Sequence, residues 1–274
     1  MSPPSFEIVT TTAGAISIRD NESKEIMHNP VGPWLEANTL YIAQSRLAEK
    51  LSETRTDEVL VFDVGLGAAA NALAALHCSR RLLKRKLHLI SFEKNLELLK
   101  FALAHADQFS HFHACTDAIT TLLTTGIFKE QNFCWELRHG DFLSLIESEK
   151  EKAQIIFYDP YSPRKNQEMW TTACFKKLIK RCRPDACLYT YSQATPIRSA
   201  LLAAGFFVGE GVGIGLKETT TEAALTIENL RLPLDQRWLT RFQSSHTPYP
   251  LDCEPGQEKE IRDSILHHPQ FSSH

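Results

Sequence analysis

Four carboxylates stand where apolar stretches of the 274-residue chain run out: Asp63 in VLVFDVG, Glu93 after LISF, Asp141 after His139-Gly140, and Asp159 after IIFY. A carboxylate so placed accepts hydrogen bonds from hydroxyl or amino groups, or takes up a proton. Asp159 has the richest surroundings. The run FYDPYSPRKNQEMW adds two prolines that stiffen the loop and brings Tyr161, Arg164, Lys165 and Asn166 alongside the acid. An aromatic ring, an acid and two cations on a rigid loop suit a planar base and its phosphates. Asp159 is expected to accept a proton, with Tyr161 helping to align the reacting group; a plain Asp-Pro turn is the structural alternative.

These acids need a scaffold, and VLVFDVGLGAAANALAAL from Val59 to Leu76 supplies it. Val59, Leu60, Val61, Phe62 and Val64 read as a strand buried on both faces of a parallel sheet. Gly65 and Gly67 then turn the chain into an alanine-rich helix, leaving free N–H groups at the helix start for a polar or anionic ligand. Two cofactor classes use such a turn. With Ala70 in third place it fits the dinucleotide fingerprint. With Asp63 ahead of Gly65 and Gly67, and Ala69 in third place, it fits the acidic-x-Gly-x-Gly turn of S-adenosylmethionine methyltransferases. Glu93, 26 residues beyond Gly67, stands where an acid accepts both ribose hydroxyls of an adenosine, or serves as a helix-start acid. Asp141 stands where an adenine amino group is met, or where a helix needs an N-cap.

Strand and helix patterns alternate from Val59 to Gly205, with strands expected at 59–64, 86–93, 133–138, 153–158 and 187–191 and an irregular helical insertion at 107–129. Two strands without an intervening helix, 206–212 and 223–230, then end the core. A doubly wound sheet that finishes on a hairpin favours S-adenosylmethionine over a dinucleotide, because dehydrogenases continue βα units. The expected fold is therefore α/β: a doubly wound, mostly parallel, seven-stranded sheet of the class I S-adenosylmethionine methyltransferase type. Residues 1–52 read as an N-terminal β-hairpin, a loop and a helix over 34–51 appended to this core, 53–230 as the Rossmann-like domain, and 231–274, rich in Pro, His and Ser, as a partly flexible C-terminal tail with short helices at 234–242 and 257–267.

Composition narrows the classes. With 43% hydrophobic and 23% charged residues the chain is an ordinary globular one. Its seven cysteines form no CxxC pair, which speaks for reduced thiols, a cytoplasmic location and no metal site. His111 and His113 read as surface or partly buried residues. No run is long enough to span a bilayer, and no membrane association is expected. The net charge of −3 does not advertise a nucleic-acid binder. Local basic runs at 80–86 and 164–183 read either as solvated helix faces or as phosphate contacts.

The Asp159 loop also carries a resemblance. DPYSPRKNQEMWT resembles the DGFAPxKNPxMWT loop of the methyltransferase domain of the bifunctional tRNA 5-methylaminomethyl-2-thiouridine biosynthesis protein family, which has stand-alone members. VGLGAAANAL is similar to its GFGTGLNFL, LISFEK to its FISFEK, TYSQATPIRSALLAAGF to its TFTSAxxVRxxLxxAGF, and GPWLEANTLYI to its GLEETRYVF. The matches run from Gly32 to Lys217. The resemblance implies that Gly65, Gly67, Asn71 and Glu93 hold S-adenosyl-L-methionine, and Asp63 and Asp141 join them as strand-end acids. It implies that Asp159 takes the proton from the aminomethyl group of a wobble uridine with Tyr161 in place of the family phenylalanine. Topology then places Arg164, Lys165, Arg198 and Lys217 near that loop to contact the substrate's phosphates, and Glu36 and Asn166 are expected to meet the substrate as well. The expected partners are the anticodon loop of tRNA and a separate flavin-dependent or upstream tRNA-modifying enzyme, since no flavin domain or oxidoreductase activity is expected in this chain. Here Pro160 follows the aspartate, and GIGLKETT replaces the family's GFGxKREM. A methyltransferase with a small-molecule acceptor and a non-catalytic cofactor-binding interaction protein therefore stay open as alternatives.

Overall fold

The computed structural model describes residues 5–27, 30–82 and 84–271. Asn29, which opens the expected N-terminal loop, and residues 272–274 of the expected tail lie outside them.

The central strand β3 (Val59–Val64) is buried at all six positions, as its unbroken apolar run requires. It pairs in parallel with β4 (Leu87–Glu93) on one side and β7 (Ala153–Tyr158) on the other. Outward from β4 lie β6 (Phe133–His139) and β5 (Ile127–Glu130). Outward from β7 lie β8 (Cys182–Thr190), β10 (Thr220–Ala224) and β9 (Phe207–Gly211). The sheet thus has eight strands, ordered β5-β6-β4-β3-β7-β8-β10-β9. The sequence reading expected seven. The missed strand, β5, is the four-residue IFKE that pairs antiparallel with β6 at the edge. It follows helix α5 (Thr116–Thr125) through Gly126 alone, too short to show an alternating pattern of its own. The last hairpin also shifts: β10 occupies 220–224, before the expected 223–230, and a short 3₁₀ turn takes 227–229.

Two cores flank the sheet. On one face Val59, Val61, Leu89 and Phe157 pack against helix α3 (Ala70–Arg80) through Leu73 and Leu76, and against Leu40 and Tyr41 of the N-terminal segment. On the other, Leu60, Phe62 and Ile156 meet α6 (Phe142–Ser148), α7 (Thr172–Leu178) and α8 (Thr195–Ala203). Residues 231–271 form the two short helices expected of the tail, α9 (Gln236–Ser244) and α10 (Glu258–Leu266), but the segment lies packed on this second core. Trp238, Phe242, Ile265 and Phe271 are buried there. Each such side chain removed from water is worth about 1.5–3 kcal/mol, enough to hold a segment whose overall composition is polar.

The N-terminal strands β1 (Phe6–Thr10) and β2 (Ile16–Asp20) form the expected hairpin outside the main sheet, turning at Gly14 with φ +81°. The helix expected at 34–51 is broken. A short turn of α-helix, α1 (Pro33–Glu36), runs into a π-helical stretch at Ala37–Ala43, and Arg46 adopts a left-handed conformation before α2 (Leu47–Ser52). No helix among the described residues is long and apolar enough to cross a membrane.

Candidate active site

At the carboxyl ends of β3, β4, β6 and β7 a cavity of about 440 Å³ opens, within the size range of small-molecule sites. Gly65, Leu66, Gly67 and Ala68 form its floor, and the loop Asp159–Ser162 forms one wall. The glycines earn their places differently. Gly65 has φ +90°, and a Cβ there would stand 2.5 Å from the Asp159 carbonyl oxygen. The β3 and β7 loops therefore approach this closely only because position 65 has no side chain. Gly67 has φ +53°, and a Cβ there would make only ordinary van der Waals contact, 3.8 Å from Leu98 Cδ2, so its need is conformational.

At one end of the cavity Glu93 accepts backbone hydrogen bonds from Gly67 at 3.1 Å and from Lys94 and Asn95 at 2.8 Å each. Its carboxylate is thus fixed across the glycine turn, with Leu66, Phe92, Leu98 and Phe142 providing apolar lining nearby. Asp141 also lines the cavity while capping α6, its Oδ1 accepting from the Ser144 N–H at 3.2 Å. Both sequence readings of Asp141, ligand contact and N-cap, are compatible with this position.

At the other end stand Asp159, Glu36, Tyr161, Asn166, Tyr191 and Lys217. The Asn71 amide donates to Asp159 Oδ2 at 2.8 Å, linking helix α3 to the β7 loop. The loop itself is held by Tyr191 Oη donating to the Pro160 carbonyl at 3.1 Å and by Trp170 Nε1 donating to the Tyr161 carbonyl at 2.8 Å. Tyr41, wholly buried, projects from the π-helical stretch toward Asp159 without a hydrogen bond of good geometry to it. Burial, then the charges of Asp159 and Glu36, push its phenol far above the ordinary range. Lys217 donates to the Tyr191 carbonyl at 3.1 Å and lies 4.6 Å from that residue's ring centre. Burial lowers its pKa, with Glu36 and Asp159 opposing the shift.

Not every expected residue reaches the cavity. Asp63 lies beneath the floor, fully buried, with Ser91 Oγ donating to its Oδ2 at 2.7 Å and no partner for Oδ1. Burial raises its pKa to about 7; the Ser91 bond opposes this, and Asp159 and Glu93 add to it. Asn71 also stands behind the wall, bonded to Asp159, and is absent from the cavity surface. Lys165 turns away from the cavity to pair with Asp20 of the hairpin, its ammonium 4.4 Å from the Tyr161 ring centre. Arg164 is exposed on the same loop. Arg198 departs furthest from expectation. It is 4% exposed and donates to Thr221 Oγ1 at 3.0 Å and the Thr220 carbonyl at 2.8 Å, with Glu210 3.6 Å away. Its guanidinium braces β10 from below and is withdrawn from any phosphate.

The structure adds residues the sequence reading passed over. Glu25, Ile26, Met27 and Pro30, which follow the hairpin, close over the cavity, and Ser162 donates to Glu25. The segment that follows the hairpin is therefore part of the site's roof. Six acids line the cavity, Glu25, Glu36, Glu93, Asp141, Asp159 and Glu168, against two lysines, Lys94 and Lys217. Such an excess favours a cationic ligand over an anionic one.

Residues 106–226 match a family described as S-adenosyl-L-methionine-dependent methyltransferase. The chain is 28% identical over 200 residues to the tRNA 5-methylaminomethyl-2-thiouridine biosynthesis bifunctional protein MnmC of Burkholderia thailandensis, covering 66% of this chain and 29% of that protein. It is 26% identical over 219 residues to an uncharacterised protein of Methanocaldococcus jannaschii, covering 79% of this chain and 58% of the relative. The chain thus spans under a third of the MnmC relative and somewhat over half of the archaeal one. Among solved structures, MnmC2 from Aquifex aeolicus superposes with a TM-score of 0.72 at 25% identity, over 97% of this chain and 85% of the other.

Proposed function

From the premise that this chain is an S-adenosyl-L-methionine-dependent methyltransferase homologous to the methyltransferase region of MnmC, we propose that it methylates the aminomethyl group of a modified wobble uridine in tRNA. The observation that carries the reading is the pairing of Asp159 with Asn71 at the closed end of an acid-lined cavity. An alkylamine reaches this end as an ammonium ion, attracted by Glu36 and Asp159, and must lose a proton before its lone pair can attack.

The residues present fit the cofactor. Gly65 and Gly67 let the backbone approach it, Glu93 offers a fixed carboxylate to ribose hydroxyls, and Asp141 offers one to the adenine amino group. S-adenosylmethionine supplies an electrophilic methyl group on a sulfonium. In this reading Asp159 accepts the ammonium proton, Asn71 keeps the carboxylate in one orientation, and the Tyr161 ring, half-buried beside it, aligns the base. Lys217 and Glu36 border the acceptor, while the exposed Arg164 and the cavity-lip Lys94 are placed to meet phosphates. A cytoplasmic location and a separate enzyme that installs the aminomethyl group belong to the same proposal.

Mass spectrometry of tRNA nucleosides from cells with and without the gene tests it. Loss of the methylated wobble nucleoside with build-up of its unmethylated precursor is expected. An unchanged nucleoside profile would overturn the tRNA assignment and favour a small-molecule amine.

A further inference from the structure

We propose that the amino end of the sheet carries a second site, for a divalent metal ion of the zinc type, built from His88, Cys134 and Glu136 with Glu58 behind. His88 on β4 is the register partner of Cys134 on β6, and Glu136 follows two residues later on the same face. One donor atom from each of the three lies within 4.8 Å of the others. Zinc–ligand bonds of about 2.0–2.3 Å in a tetrahedron set donor atoms about 3.3–3.8 Å apart, so sub-ångström to ångström side-chain adjustments suffice.

Each ligand is already oriented by an outer partner. Glu58 Oε1 lies 3.3 Å from His88 Nδ1 while Nε2 faces Glu136 Oε1 at 3.0 Å. A proton on Nδ1 directed at Glu58 leaves the Nε2 lone pair for a metal, which takes the place of a proton between Nε2 and Glu136. Arg138 donates to the other oxygen of Glu136 at 2.7 Å, and so presents Oε1 to the same point. This is the carboxylate–histidine–metal arrangement that fixes ring tautomer and orientation in metalloproteins. The three side chains are half-buried and line a surface depression together with Lys129, the cross-strand neighbour of Cys134. Lys129 offsets part of the negative charge of a thiolate with two carboxylates.

A nitrogen, a sulfur and an oxygen donor select zinc or a similar borderline metal over magnesium or calcium, which take oxygen ligands. Binding releases the thiol proton of Cys134 and leaves a fourth position for water. Glu93 lies five residues beyond His88 on β4, about 16 Å, so the ion is remote from the cavity and clamps β4 to β6. Cysteine spacing alone could not reveal the set, because its members come from two strands 46 residues apart at His88 and Cys134.

The test is cobalt(II) titration of the chelator-stripped, reduced full-length protein. One equivalent should bind with a thiolate-to-cobalt charge-transfer absorption that zinc displaces. Cys134→Ser should abolish the absorption, and Cys253→Ser should keep it. Glu58→Gln should keep it while lowering zinc affinity about 10–100-fold. S-adenosylmethionine affinity, read on every variant, reports that the fold is intact, and His88→Gln provides a second ligand deletion should Cys134→Ser fail that check. Absence of the absorption in the parent would overturn the site. So would its survival in Cys134→Ser, or unchanged zinc affinity in His88→Gln.

Discussion

The two ends of the cavity are made in different ways. The Glu93 end is assembled from β3, the glycine turn and β4, with Asp141 following β6; its main hydrogen bonds join a side chain to nearby backbone N–H groups. The Asp159 end draws on the hairpin segment, the π-helical stretch, helix α3, the β7 loop, the end of β8 and the Lys217 loop. Its interactions join segments far apart in the chain, 88 residues in the case of Asn71 and Asp159. A local construction of backbone donors suits a ligand common to many enzymes. The distributed one can vary its acceptor by changing a loop. Substitutions at the two ends should therefore separate binding from turnover.

The largest effect should follow Asp159→Ala, which leaves S-adenosylmethionine affinity within a few-fold of the parent and lowers turnover about 10²–10⁴-fold, the usual worth of a positioned proton acceptor. Parallel calorimetric titration and single-turnover methyl transfer check this; wild-type turnover would make Asp159 a turn residue. Glu93→Ala should do the converse, weakening cofactor binding by about 1.5–3 kcal/mol as a charged acceptor is removed, with turnover at saturating cofactor far less affected. Equal loss of binding in both variants would erase the distinction between the two ends.

Asp63, beneath the junction of the two ends, gives a pH signature. With a carboxyl raised to about 7 by burial against about 3.9 unfolded, the folded protein holds more protons between those values. Its contribution to stability is fully present below the unfolded value and is lost as pH rises through the folded one. Urea midpoints of the parent relative to Asp63→Asn should accordingly fall from pH 5 to pH 8; a difference that is flat with pH would show Asp63 ionised in the fold. The smallest effect belongs to Ala69, which begins α3 with φ +64°, in the left-handed region that disfavours a Cβ. Ala69→Gly should stabilise the protein by about 1 kcal/mol in a denaturant titration. A loss of stability would mean that the methyl group, buried in the first core, outweighs the backbone strain.

How much was legible follows the same division. Glu93 and the glycine turn could be found because strand, turn and acid succeed one another at fixed offsets, and Asp159 because prolines and aromatics mark its loop. Tyr41 was hidden because a π-helical stretch breaks the 3.6-residue period by which inward-facing positions are recognised. The roof at Glu25–Met27 carries no local signal, since its position depends on Ser162 and Lys165 gripping Glu25 and Asp20 from the β7 loop. Arg198 misled because charge is visible in a sequence and burial is not. It was expected to meet the substrate, whereas Thr219, Thr220 and Thr221 supply the oxygens that accept it inside. In the tail the two helices were legible but their packing was not: four well-spaced apolar side chains outweigh many polar ones once a core face is available.

The most direct measurement is transfer of labelled methyl from S-adenosylmethionine by the purified protein to two tRNA preparations, one bearing the aminomethyl wobble uridine and one lacking only that aminomethyl group. Stoichiometric label in the wobble nucleoside of the first, none in the second, and near-complete loss with Asp159→Ala are the predicted result. Cofactor binding with no label in either tRNA, or equal label in both, would contradict the amine-acceptor account of the Asp159 end.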